Sequence, residues 1–199
     1  MFEILRPYIL TFIPIFVAVD AVGNIPVFIS LIEGANKKLK SKIIAESVTT
    51  ATVMAVLFMF LGKWVLRLLN ITISDFQIAG GILLFIIAVR LLLPGVQKHV
   101  LSNGHDRDVG VFPMGTPLIT GPAVLTTTLI MLDSFGIMPT FISLLLNMLI
   151  VWFTLAKAEV IIKLIGNGGA RAVAKIMYIF LAAIAAMMVR LGISGIYSL

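Results

Sequence analysis

Between Asp108 and Asp133 the chain reads VGVFPMGTPLITGPAVLTTTLIML (residues 109–132), 24 residues without an Asp, Glu, Lys or Arg. As a helix such a run crosses a hydrocarbon core of ~30 Å, which takes ~20 residues. The next run, 134–156, is 23 residues long and equally uncharged, and shorter ones cover 21–32 and 47–62. Around them, 60% of the 199 residues are hydrophobic and 12% charged, against roughly a quarter charged in a soluble domain. A water-soluble globule of this length cannot hide so much apolar surface in one core. The reading is an all-α polytopic membrane protein. With no cysteine, disulfide scaffolds and Cys-ligated metals are excluded.

The flanking charges divide the chain into six expected helices, at 7–32, 43–66, 74–96, 111–132, 139–165 and 173–197. The apolar stretch at the start continues past Asp20 to Ile32, longer than the apolar region of a cleavable signal peptide, so it is read as a retained helix. Lys37, Lys38, Lys40, Lys42, Arg90, Lys98, Arg107, Lys157, Lys163, Arg171 and Lys175 collect on one side, and Arg6, Lys63, Arg67 and Arg190 on the other. The positive-inside rule puts the richer side in the cytoplasm and both termini outside. The net charge of +6 therefore reads as a topology signal, not as a nucleic-acid footprint. Lys63 and Lys157 are expected to snorkel to an interface, Lys157 with Glu159 close by to balance its charge. The longest polar connection carries His99, His105, Asp106 and Asp108. It is read as solvated loop charge, with no metal site and no separate soluble domain.

The whole chain, 1–199, is thus one integral membrane domain in two parts, 1–96 and 111–199, joined by a cytoplasmic loop at 97–110. Leu61-Gly62-Lys63 before Arg67-Leu68-Leu69-Asn70 resembles Leu155-Ala156-Lys157 before Lys163-Leu164-Ile165-Gly166-Asn167, and Arg90 matches Arg190 in its span. A three-helix unit crosses an odd number of times, so its second copy lies inverted. Inverted repeats are a recurrent design of secondary transporters, with the substrate bound at the repeat interface near the midplane.

The first and fourth spans share an interruption. One holds Asp20-Ala21-Val22-Gly23-Asn24-Ile25-Pro26, the other Pro117-Leu118-Ile119-Thr120-Gly121-Pro122. Proline removes an N–H and clashes with the carbonyl four residues back, while glycine eases unusual dihedrals. Both spans are expected to break there, at similar depth. Unwound backbone at membrane depth is tolerated only against protein, ligand or a water-lined cavity. New helix N-termini would offer N–H groups and a positive dipole end to a carboxylate. Freed carbonyls would suit an ammonium or a small cation. The candidate binding residues are Asp20, Gly23, Asn24, Thr120 and Gly121, with Pro26, Pro117 and Pro122 making the breaks. Gly80 and Gly81 are candidate lining residues, although small residues also serve helix packing. A mid-depth charge costs at least ~2.5–3.5 kcal/mol, so Asp20 is read as functional, binding a coupling cation (Na⁺) or holding a proton that moves with transport; the alternative is a protonated Asp20 that only caps a freed N–H.

These stretches, together with Phe76-Gln77-Ile78-Ala79-Gly80-Gly81-Ile82-Leu83-Leu84-Phe85 and Pro113-Met114-Gly115-Thr116, resemble the MarC family, which includes the SnatA-type small neutral amino acid transporters and UPF0056 membrane proteins. The resemblance covers nearly the whole chain. It departs at Ala21, where the family usually has proline, and at Ala123, where glycine is common. It implies six helices, a bacterial or archaeal cell membrane, and cation-coupled uptake of glycine or alanine by alternating access. The partners so implied are a small neutral amino acid and the lipid bilayer.

An intramembrane hydrolase is disfavoured, since no histidine lies in a span and Asp20 is the only mid-depth aspartate. A channel can also use broken helices, but two unlike half-sites favour one asymmetric cavity. An exporter on the same scaffold stays open as an alternative, as does the oligomeric state. No cofactor is expected.

Overall fold

The computed structural model describes residues 2–32, 34–93 and 110–197. Regular structure among them is helical throughout: α1 (Phe2–Val19), α2 (Asn24–Leu31), α3 (Lys37–Leu68), α4 (Ile73–Leu92), α5 (Gly110–Ile119), α6 (Pro122–Phe135) and α7 (Ile137–Tyr197). The expected polar loop lies almost wholly outside the described residues.

Local chemistry starts and stops these helices. Asn36 caps α3 by accepting from the Leu39 N–H at 2.8 Å. Thr72 and Asp75 form a reciprocal capping box on α4, which satisfies two N–H groups that the helix cannot. In α5, Phe112 (φ −134°, ψ 131°) and Thr116 (φ −138°, ψ 124°) leave helical geometry. Each precedes a proline, whose ring pushes the residue before it into extended conformation.

Among the described residues, α3, α4 and two stretches of α7 (Ile137–Val160 and Lys175–Tyr197) are long and apolar enough to cross a membrane. The pair α5–α6, bent by 52°, makes a fifth span if taken as one. The expected break in the first span is present and divides it into α1 and α2. The expected gap between 165 and 173 is absent, because helical backbone continues from Ile137 to Tyr197. No proline follows Pro139, and glycines alone cost a helix only ~1 kcal/mol each. A straight helix of that length would measure about 92 Å. Yet Leu155 shares a groove with Phe28, and Asn24, one helical turn before Phe28, shares a cavity with Met177 and Met188, so the two stretches do not lie on one axis.

Helix α4 packs on the second stretch of α7 through small residues. A Cβ at Gly81 would meet the Ala185 carbonyl and Val189 at 2.8 Å, and one at Gly192 would meet Ser74 and Ile78. Such close approach is the usual way helices associate in membranes, where burial alone drives nothing. The opposite face of α3 presents Val53, Leu57, Phe60, Trp64 and Leu68, all exposed, at the three- and four-residue spacing of one helix stripe. It is a surface for lipid.

Two ion pairs tie α3 to later helices. Lys40 pairs with Glu159 of α7, and Lys63 with Asp133 of α6. The two lysines stand about 35 Å apart along α3, near the thickness of a hydrocarbon core. Glu159 therefore meets Lys40, whereas Lys157, its expected neighbour, is exposed.

Candidate functional site

The two helix breaks meet. Asp20, Gly23 and Asn24 from the first, and Pro117, Gly121 and Pro122 from the second, line one cavity of about 40 Å³. Leu84 of α4 and Met177, Leu181, Ile184 and Met188 of α7 complete its apolar wall. No periodicity of the sequence singled out this α7 face, which reads as ordinary core.

The first break is built around Asp20. Pro26 has no N–H and its ring crowds the carbonyl of Val22, which disfavours a regular helix there. The chain instead turns at Asp20, whose φ of +45° is a left-handed conformation that aspartate tolerates better than most side chains. The Gly23 N–H donates to Asp20 Oδ1 at 3.0 Å. Asn24 Nδ2 donates to the carbonyls of Val19 (3.0 Å) and Asp20 (3.1 Å), closing the C-terminal end of α1. The Asn24 N–H bonds the Asp20 carbonyl and the Ile25 N–H that of Val22, both at 3.1 Å. Pro26 falls in the first turn of α2, away from the cavity.

This corrects the sequence reading at one point. The Gly23 and Asn24 N–H groups, expected to be open to a carboxylate, are satisfied by the turn itself. Of the carbonyls at the end of α1, those of Val19 and Asp20 are held by Asn24.

The second break differs. Gly121 (φ −87°, ψ 176°) precedes α6 and Pro122 opens it, where a proline lacks only an N–H that would be unpaired anyway. The next N–H groups, of Ala123 and Val124, have no acceptor within their own helix, and Ala123 lines the cavity. The positive end of α6 therefore faces the space that Asp20 borders. Among the described residues, Asp20 is the only charged one lining it.

Three candidates stand elsewhere. Thr120 is fully buried and donates its hydroxyl to the Ala51 carbonyl of α3 at 2.9 Å; it does not line the cavity. Gly80 is where α4 meets the second break, since a Cβ there would overlap the Pro122 ring. Gly81 lies against α7. Both are packing positions. The need for glycine at 23 and 121 is likewise internal: a Cβ would overlap the Asp20 carboxylate in one case and the Pro117 carbonyl in the other.

Away from the cavity, Thr11 Oγ1 and Ser143 Oγ share a hydrogen bond of 2.6 Å, and Asn147 Nδ2 donates to the carbonyls of Phe12 (3.3 Å) and Ser143 (2.9 Å). These join α1 to the first stretch of α7.

Comparison with known proteins agrees with this architecture. The family described as "MarC family integral membrane protein" matches residues 5–197. A UPF0056 membrane protein of Methanocaldococcus jannaschii is 31% identical over 200 residues, covering 96% of this chain and 98% of the relative. One from Archaeoglobus fulgidus is 32% identical over 184 residues, covering 88% and 86%. The UPF0056 inner membrane protein YhgN of Escherichia coli is 25% identical over 174 residues, covering 85% and 87%. No solved structure matches.

Proposed function

We propose that this chain, which belongs to the MarC family of integral membrane proteins, is a secondary transporter of small neutral amino acids of the glycine and alanine class. In this reading six passes form two inverted three-helix repeats in a bacterial or archaeal cell membrane, with both termini outside. Transport is coupled to Na⁺ or H⁺ and works by alternating access.

The single observation that carries the reading is the cavity bordered by both breaks, with a carboxylate on one side and a helix N-terminus on the other. An amino acid zwitterion complements it. Its ammonium goes to Asp20 and its carboxylate to the Ala123 and Val124 N–H groups, a favoured place for an anion. The Met and Leu wall suits a small apolar side chain. About 40 Å³ holds roughly three waters, less than the five heavy atoms of glycine need. Binding therefore requires α2 and α6 to part, which links occupancy to conformation. The same small volume argues against a channel. Export is the same cycle run the other way.

The test is uptake of labelled glycine and alanine into proteoliposomes, with Na⁺ and pH gradients imposed separately. Accumulation against a gradient that collapses with one of the two ions is the expected result. Equal leakage of charged and neutral solutes with no accumulation would overturn it.

A further inference from the structure

A larger groove, of about 310 Å³, opens beside the first turns of α3. Phe28 and Ile32 of α2 and Leu155 of α7 give it an apolar floor, and Trp152 lines it with 39% of its surface exposed. Among the described residues its charges are Lys37, Lys40 and Glu159. Glu159 is held by Lys40 and has a further interaction besides. Lys37 is exposed and enters no ion pair among the described residues. The groove thus sets two positive charges against one negative, and the surplus is that of Lys37. Lys37, Lys40 and Ser41, all lining it, follow the three- and four-residue spacing of one helix face.

We infer that this groove is a site for an anionic glycerophospholipid whose phosphodiester carries its only charge. One negative charge balances the surplus at Lys37, while Glu159 keeps the partners it has. The phosphodiester oxygens accept from the Lys37 ammonium and the Ser41 hydroxyl, and an acyl chain covers the apolar floor. A free inorganic anion would meet the charge and leave that floor facing water. A zwitterionic headgroup would bring an ammonium to a groove already positive, where the one carboxylate is taken. Basic pockets between membrane helices are places where acidic headgroups bind. Because α2 supplies part of the floor, the bound lipid bears on the helix that follows the first break. The inference does not depend on which solute the protein carries.

The experiment uses the fluorescence of Trp152. The chain has two tryptophans, so Trp64→Phe leaves Trp152 as the reporter. The purified full chain in non-ionic detergent is titrated with phosphatidylglycerol brominated on its acyl chains, and quenching is measured. Quenching should saturate, with an affinity at least tenfold tighter than for brominated phosphatidylethanolamine of the same chains. Lys37→Met should weaken it about fivefold, the share of one lysine near a headgroup. Lys38→Met, which removes the same charge beside the groove, should change it less than twofold. Ala156→Phe fills the groove without altering a charge and should abolish saturation. Lys37 is exposed, so its substitution tests the site even where Ala156→Phe does not fold. Equal losses at Lys37 and Lys38 would reduce the attraction to diffuse surface charge and overturn the site. Equal affinity for the two lipids would overturn it as well. Displacement of phosphatidylglycerol by inorganic phosphate would make the groove a free-anion site and overturn the lipid.

Discussion

Asp20 and Gly23 are matched to each other: the carboxylate accepts the Gly23 N–H at 3.0 Å, and the space that a Cβ at 23 would need is filled by that same carboxylate. One residue thus ends α1, holds the Gly23 N–H just before α2 and presents its carboxylate to the cavity. Stability and function are separable at this position by choice of substitution.

Asp20→Asn keeps an oxygen to accept from Gly23, so the break should persist with thermal stability close to that of the parent chain. The charge is lost, and with it gradient-driven accumulation, while exchange of internal for external substrate can continue. Uptake and counterflow in the same proteoliposomes check this. Undiminished accumulation with an unaltered response to pH and Na⁺ would reduce Asp20 to a cap.

Gly23→Ala should disturb the turn by forcing the Asp20 side chain aside. Overpacking of this kind costs about 1–3 kcal/mol. Thermal unfolding in detergent should report the loss, and uptake should fall with it. A stable, fully active variant would mean that the Asp20–Gly23 contact is not kept in the membrane.

Thr120→Val removes the buried hydrogen bond to Ala51, worth about 0.6 kcal/mol on average within membranes. Substrate affinity should not change, because the hydroxyl is turned to α3. A tenfold loss of alanine affinity without loss of stability would return Thr120 to the binding site.

Gly80→Ala should weaken the seat of α4 on Pro122 by a similar overpacking cost of about 1–3 kcal/mol. The measure is a lowered unfolding temperature, with the bilayer orientation of α4 unchanged.

The ends of α3 test the topology. Cysteine placed at Lys38 should react with an impermeant reagent from one face, and cysteine at Asp133, whose partner Lys63 stands near the far end of α3, from the other. Labelling of both from a single face would contradict α3 as a membrane span.

How much of this could be read without coordinates follows from the range of the forces involved. Long uncharged runs such as 109–132 favour helices in lipid, since hydrocarbon offers their backbone no partner. Pro26, Pro117 and Pro122 act through their own rings and missing N–H groups. The membrane class, the helical content and the two breaks were therefore determined by composition and local order alone.

What the tertiary structure decided is how each polar group finds its partner. Thr120 meets Ala51 across 69 residues of sequence, and Glu159 meets Lys40 across 119. Neither partner is marked by any spacing, because helices turned against one another choose contacts by shape and not by order along the chain. The same holds for the two breaks: each is legible in its own few residues, but only packing through α4 and α7 brings Asp20 and the start of α6 to one cavity. The first N-terminus closes on itself while the second stays open. That asymmetry depends on where a single carboxylate points, which hydrogen bonding in the folded chain determines.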